Sequence, residues 1–133
     1  MIPLQSAVEH KEFVLYDLEQ KLKPLGYVIG GNWDYDHGYF DYKIDDDGSY
    51  IFFRLPFEAT NGELEQRGVK VRLMKPFLLA HKYQRGLDDY VGDKYPVLNQ
   101  FSEPQDKDAS IKEKYIPIAQ NLIQELEATI LYL

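Results

Sequence analysis

The residues best suited to chemistry lie in one short acidic segment. Asp34, Asp36 and His37 fall within four positions of one another, and Gly38 follows them. Carboxylate and imidazole ligands together suit a divalent cation. In an extended segment Asp34 and Asp36 project from the same side, and His37 joins them only where the chain turns near Gly38. The segment predicts either a metal site, whose bound water could serve a hydrolase, or a solvated turn, which is the preferred interpretation.

A second charged segment has the opposite sign. Six basic residues and no acidic residue lie between positions 67 and 85, whereas six aspartates and one lysine lie between 34 and 47. Lys70 and Arg72, with neighbouring rings, could bind a phosphate ligand or single-stranded RNA. Alternatively, the basic side chains pair with acidic ones across a sheet. The formal net charge of −7 disfavours nucleic acid as a partner and favours ion pairing.

An aromatic hairpin is the clearest structural element. Over half of the aromatic residues lie between positions 27 and 57, around the turn signal Asp47-Gly48. A two-residue turn there sets the strand register. The predicted cross-strand pairs are Phe40 with Leu55, Asp41 with Arg54, Tyr42 with Phe53, Lys43 with Phe52, and Ile44 with Ile51. This register gives one apolar face and one mixed outer face.

The outer face of the predicted sheet combines rings with charges. Its expected residues are Tyr39, Asp41, Lys43, Tyr50, Phe52, Arg54, Lys70 and Arg72. Exposed aromatic residues framed by charges are typical of an interface or a ligand surface. Of this set, Tyr39, Tyr50, Phe52, Arg54, Lys70 and Arg72 are the candidate contact residues.

Two helices are predicted at the ends of the chain. The capping box that runs from Ser6 to Glu9 predicts a helix start, and Pro24 with Gly26 predicts its end. Phe13 and Tyr16 project away from its apolar stripe and form a second candidate contact surface. Another capping box at Ser110 opens the last helix, whose expected buried stripe is Ile111, Tyr115, Ile118, Ala119, Leu122, Leu126 and Ile130. Pro117, inside this helix, is expected to kink it.

Further strands follow the hairpin. Val69, Val71 and Leu73 alternate with basic residues, which predicts a strand. Residues 77 to 83 are expected to form the next strand in preference to a short helix that begins at Pro76. Residues 84 to 109 show no sustained period, so their structure stays open.

The order of elements predicts a single α+β domain over residues 1 to 133. An antiparallel sheet of about four strands packs both helices on one face. The chain contains no cysteine, which excludes disulfides and thiolate metal sites. No basic region followed by an apolar stretch opens the sequence, and no apolar run approaches bilayer length, so we expect a cytoplasmic protein with no membrane partner. No catalytic motif is present, so no catalytic residue and no cofactor are assigned.

Two segments carry a family resemblance. The run from Lys75 to Asp89 (KPFLLAHKYQRGLDD) and the run from Leu98 to Asp108 (LNQFSEPQDKD), followed by a terminal helix, resemble the YugN-like family of small bacterial proteins. Chain length and element order also fit that family. The resemblance implies a small bacterial α+β domain, and it transfers no activity, cofactor or site residue.

These features predict a non-catalytic, cytoplasmic interaction or binding module that self-associates, most simply as a homodimer. The aromatic sheet surface or the pair Phe13 and Tyr16 would supply the interface. One alternative is a metal-assisted hydrolase, or an enzyme for a small anionic ligand, that uses Asp34, Asp36 and His37. A second alternative is weak binding of single-stranded RNA. The ligand, the partner and the pathway are not specified by the sequence.

Overall fold

A computed structural model describes residues 1–30, 36–46, 49–61, 64, 67–81 and 111–133. The strands and helices in these ranges are β1 (Ile2–Pro3), β2 (Glu12–Val14), α1 (Leu15–Leu22), a 3-10 turn (Lys23–Leu25), β3 (Val28–Gly30), β4 (His37–Asp45), β5 (Tyr50–Asn61), β6 (Lys70–Leu73), β7 (Phe77–His81) and α2 (Tyr115–Ile130).

Strand β5 organises the sheet. It has 12 residues, of which residues 51–58 pair with β4 along one side. On the other side, residues 50–54 pair with β7 and residues 57–61 pair with β6. The sheet is completed by β1 beside β7, β2 beside β6 and β3 beside β4, and every pairing is antiparallel.

The α+β class with an antiparallel sheet is therefore confirmed, but the expected number of strands is wrong. The described residues form seven strands instead of about four. The additional strands β1, β2 and β3 have only two or three residues each. Strands this short show no alternation that a sequence pattern could reveal.

One face of the sheet carries the core. Alternate residues of β5 are buried there, namely Ile51, Phe53, Leu55 and Phe57. Buried residues of both helices belong to the same hydrophobic cluster, among them Leu15, Leu18, Leu22, Leu122, Leu126 and Ile130. The face of β5 that recurs every two residues thus packs in one core with the helix faces that recur every 3.6 residues.

Four of the predicted hairpin pairs are confirmed, from Phe40 with Leu55 to Lys43 with Phe52. The pair Ile44 with Ile51 is wrong, because a register shift between Lys43 and Asp45 places Asp45 opposite Ile51. This irregularity turns Asp45 toward the core side. There its Oδ2 accepts a 2.5 Å hydrogen bond from the hydroxyl of Tyr115, at the start of α2. The predicted turn at residues 47 and 48 lies outside the described residues.

The first helix begins at Leu15 and not at Ser6. A turn follows Ser6, whose Oγ accepts a hydrogen bond from the Val8 amide at 3.2 Å. In a capping box the Glu9 carboxylate would reach back to accept a hydrogen bond at the start of the helix. Here the carboxylate of Glu127 in α2 is the acceptor, and it takes hydrogen bonds from the Ser6 hydroxyl at 2.9 Å and the Ala7 amide at 2.8 Å. The capping box therefore closes a turn that is tied to the opposite end of the chain.

The last helix also begins later than predicted, at Tyr115, and Ser110 lies outside the described residues. Pro117 stands in the first turn, where backbone amides have no intrahelical acceptor. The amide hydrogen that Pro117 lacks therefore removes no intrahelical hydrogen bond, and this reason for expecting a kink does not apply. Ile118 is exposed rather than buried, and Ile123, absent from the predicted stripe, is buried.

The two strands after the hairpin are confirmed. Residues 70–73 form β6 and residues 77–81 form β7, so the strand interpretation is right and the helix at Pro76 is wrong. Residues 82 and 83 of the predicted strand and the segment 84–109 lie outside the described residues.

Gly38 is required by the packing of its cross-strand partner. It pairs with the buried Phe57, and a Cβ atom at Gly38 would lie 2.7 Å from Cζ of that ring. We expect Gly38→Ala to lower the free energy of unfolding by about 1–2 kcal/mol, because the ring must leave its packed position. Urea denaturation measures the change. Gly30→Ala is the control, since its Cβ would meet ordinary contacts at 3.4 Å or more; equal losses in both variants would contradict this account.

Candidate functional site

A groove opens on the outer face of the sheet, where β3, β4 and β5 lie side by side. Its volume is about 730 Å³. The residues that line it are Leu25, Gly26, Val28, Ile29, Gly30, Tyr39, Asp41, Tyr42, Lys43, Tyr50 and Phe52. A volume of this size lies within the range of small-molecule sites. The groove includes three of the predicted contact residues, Tyr39, Tyr50 and Phe52.

The aromatic wall of the groove follows from the register of β5. Tyr50 and Phe52 are two positions apart, so both project to the outer face, and their rings meet edge to face at 6.1 Å between centroids. Phe52 also meets the ring of His81 on β7 at 5.8 Å. Tyr50 and Phe52 are only half-buried. The wall therefore presents ring surface to solvent while its rings hold one another in place.

Arg54 is held by its own sheet. Its guanidinium donates two hydrogen bonds to the Asp41 carboxylate, at 2.8 and 2.9 Å, and it stacks on the ring of Tyr39 at 3.7 Å from the centroid. Burial alone would lower the pKa of Arg54, but the hydrogen bond and charge of Asp41 outweigh it and raise that pKa. The side chains of Arg54 and Asp41 are 19% and 14% exposed. The pair fixes Tyr39 at the groove and leaves Arg54 as a support rather than a ligand contact.

Among the residues that the structure describes, Lys43 is the one basic residue that lines the groove. Its ammonium lies 5.2 Å from the centroid of the Tyr50 ring. Asp46 lies 3.6 Å away, and both side chains are more than half exposed. An exposed pair at this distance contributes little energy, so the ammonium can change partner at small cost.

One of the two candidate basic residues of β6, Arg72, is ion-paired. Arg72 of β6 lies between two carboxylates, with Glu58 of β5 at 3.4 Å and Glu12 of β2 at 3.2 Å. Lys70 is exposed, and its backbone amide donates to the side chain of Asn61. Neither side chain lines the groove. The structure thus separates Lys70 and Arg72 from the aromatic wall that RNA stacking would need.

The candidate metal residues are only partly within the described residues. His37 Nδ1 lies 2.6 Å from Asp36 Oδ1, and Nε2 lies 3.7 Å from Glu58 Oε2. Asp34 lies outside the described ranges. Within those ranges no group of three or more histidine, aspartate and glutamate side chains could hold a metal ion. The two carboxylates orient the exposed imidazole, and Glu58 is a partner that the sequence reasoning did not assign.

Phe13 and Tyr16 do not form one surface with the groove. Phe13 belongs to β2 and packs partly against the core, whereas Tyr16 on α1 is 63% exposed.

The sequence did not predict the groove-lining residues between Leu25 and Gly30. The stop signal at Pro24 and Gly26 marked where they begin, but no pattern indicated that the next residues join the sheet.

Tyr27 supports the groove from the core side. It is buried and packs against Tyr42 at 5.5 Å and Phe53 at 6.3 Å between ring centroids. Its hydroxyl has no hydrogen-bond partner in the described part of the chain. Burial raises the pKa of this hydroxyl, and the charge of Glu125 adds to the effect. The phenol therefore stays neutral and contributes packing to the floor beneath Tyr42.

Comparison with known proteins places this arrangement among relatives. A family model described as the YugN-like family matches residues 3–130. The chain is 48% identical to "Uncharacterized protein YugN" of Bacillus subtilis over 99% of this chain and 100% of the relative. It is 25% identical to "Uncharacterized protein YlbA" of the same organism over 70% of this chain and 78% of that relative.

A solved structure shares the fold. The crystal structure of the uncharacterized conserved protein YugN from Geobacillus kaustophilus superimposes with a TM-score of 0.75, over 100% of this chain and 97% of that chain. Its sequence identity is 16%, so the likeness concerns the fold alone.

In the described part of this chain, neither helix has the length and apolar character needed to cross a membrane.

Proposed function

This chain belongs to the YugN-like family, and we propose that it is a non-catalytic binding module whose binding site is the groove on the outer sheet face. The observation that carries the proposal is the groove itself, a space of about 730 Å³ with a half-exposed aromatic wall. Exposed rings beside a concave surface are typical of ligand sites.

Two further features support binding at this place. The bidentate pair of Arg54 and Asp41 holds Tyr39 in a fixed orientation, and Gly30 lies against the Tyr39 ring. A site whose walls are held before binding loses less entropy when a ligand binds. These contacts hold the Tyr39 side of the groove in place, which supports binding there.

A fragment screen by NMR tests this proposal. We expect small planar fragments to shift the backbone amide signals of Gly26, Gly30 and Lys43, and to leave Gly68, which is outside the lining, unchanged. Phe52→Ala should weaken the binding by about tenfold, because it removes one ring of the wall. Tyr132→Ala, at an 89% exposed position, is the matched control and should bind as the parent does. Fragment shifts that avoid the groove would overturn the proposal.

Self-association is the second candidate function, and the free edge of β3 favours it. Among the described residues β3 pairs only with β4, and it carries neither a charge nor a proline. The other edge strands are protected, since β1 contains Pro3 and Glu12 in β2 is ion-paired with Arg72. Val28 on β3 is 67% exposed. An uncharged apolar edge is suited to a second copy of the chain, which supports the proposed homodimer.

The mass in solution tests self-association. We expect native mass spectrometry to show a dimer, and Val28→Lys to convert it to a folded monomer, because a charge on the edge opposes strand pairing. Tyr16→Lys, on the other exposed patch, should leave the dimer intact. A monomeric parent protein, or a dimer lost only with Tyr16→Lys, would contradict the β3 interface.

The remaining alternatives gain no specific observation. Arg72 is engaged by two carboxylates, which weakens the RNA-binding hypothesis, and Asp36 and Glu58 flank His37 without a third described ligand of the kind a metal-assisted hydrolase needs. The cytoplasmic location stays a prediction.

A further inference from the structure

The charges around the groove specify the kind of ligand it would hold. We infer that the groove binds a planar aromatic small molecule with one anionic group, its ring system against Tyr50 and Phe52 and its anion at the ammonium of Lys43. This inference rests on the proposed function of the groove and adds the chemical class of the ligand.

The planar aromatic part follows from the shape and lining of the groove. Ring surfaces of four residues, Tyr39, Tyr42, Tyr50 and Phe52, are part of the lining. Flat rings stack or meet edge to face with such walls, and each contact adds to the energy of simple burial. Gly26 and Gly30, which also line the groove, contribute no side chain that would fill it. The space therefore accepts a flat body.

The first argument for a negative charge is that positive charges already occupy the ring faces. Aromatic faces attract cations, but the Arg54 guanidinium lies 3.7 Å from the Tyr39 centroid. Lys43 likewise lies 5.2 Å from the Tyr50 centroid. A cationic ligand would meet these two charges at the positions that would otherwise attract it. The groove thus opposes cations although it is rich in tyrosine.

The second argument concerns the acidic side chain in the lining. Asp41 is neutralised by the two hydrogen bonds from Arg54, at 2.8 and 2.9 Å, so it offers little attraction to a cation. Among the described residues the ammonium of Lys43 has one acidic partner, the exposed Asp46 at 3.6 Å, besides its contact with the Tyr50 ring, and an exposed ion pair of this kind is loosely held. The chain's net charge of −7 opposes an anion from a distance, but salt screens that field beyond about 8 Å under physiological conditions. The charges of these two ion pairs cancel in sum, and the ammonium of Lys43 is the charge that can exchange its exposed partner for the anion of a ligand.

A series of naphthalene probes that differ only in charge tests this inference. The probes are naphthalene-2-carboxylate, naphthalene-2-carboxamide and naphthalen-2-ylmethylammonium, titrated into isotope-labelled protein while the amide signals of Gly26, Gly30 and Lys43 are followed. We expect the carboxylate to bind about fivefold more tightly than the carboxamide, as one exposed ion pair provides. The ammonium should bind most weakly of the three.

Lys43→Met is the diagnostic variant, because it removes the charge and keeps an unbranched side chain. It should bring the preference for the carboxylate over the carboxamide close to onefold, and this ratio of affinities is the readout. Lys75→Met, an exposed lysine outside the lining, should keep the preference.

The outcomes separate this inference from the proposed function. Equal binding of carboxylate and carboxamide, or tighter binding of the ammonium, would overturn the anionic class while the groove remained a binding site. Carboxylate preference that survives in Lys43→Met would overturn the role of that lysine. No saturable shift with any probe would overturn both the ligand class and the groove as a site for such molecules.

Discussion

Replacing Asp41 with alanine should lower the free energy of unfolding by about 3 kcal/mol, because it leaves the largely buried guanidinium of Arg54 without its counter-charge. The two side chains are 14% and 19% exposed and share two hydrogen bonds. The same variant should weaken fragment binding, since Tyr39 loses the stacked support of a fixed Arg54. Urea denaturation and the groove titration measure the two effects.

A double variant separates the loss of a pair from the loss of packing. Asp41→Leu combined with Arg54→Met replaces both charges by apolar side chains of similar size, and such replacements are often neutral in stability. We expect the double variant to recover most of the stability that Asp41→Ala loses. A double variant as unstable as Asp41→Ala, or a single variant as stable as the parent, would contradict the assigned role of the pair.

Tyr115→Phe should lower the free energy of unfolding by about 2 kcal/mol, because the hydroxyl of Tyr115 donates to the Asp45 carboxylate from a buried position and a hydrogen bond to a charged group is among the stronger ones. The bond ties the start of α2 to the irregular end of β4. Tyr132→Phe, at the most exposed tyrosine among the described residues, should change stability by less than about 0.5 kcal/mol. Similar effects at both tyrosines would show that the bond with Asp45 is not what holds α2.

The hairpin shows how far sequence reasoning reaches here. The register from Phe40 to Lys43 could be predicted because a period of two aligns apolar and charged residues across the strands. The shift before Asp45 could not be predicted, since Ile44 fits the apolar pattern better. What places Asp45 on the core side is a tyrosine 70 positions away.

The predicted start of the first helix is wrong for a related reason. Ser6 and Glu9 form a locally valid capping box, but the acceptor that the turn uses is Glu127, which is 121 positions from Ser6. Residues 12–14 then pair with β6, so sheet pairing overrides helix propensity. Local patterns cannot weigh a competitor from the other end of the chain.

Only part of the groove could be predicted from the sequence. Alternation along β5 placed Tyr50 and Phe52 on the outer face correctly, and the pair Asp41 with Arg54 was found as a cross-strand contact. The sequence could not show that this pair withdraws Arg54 from ligand binding, nor that Val28 and Gly30 complete the opposite wall. The second fact depends on β3, a three-residue strand that has no recognisable period.

The position of a bound fragment tests the central claim most directly. A crystal structure of the protein soaked with the tightest planar fragment of the screen should show that fragment between Phe52 and Val28, with Tyr39 and Arg54 in place. Fragment density on the helical side of the sheet or at Tyr16, with the groove empty at saturating concentration, would contradict the account that this groove is the binding site.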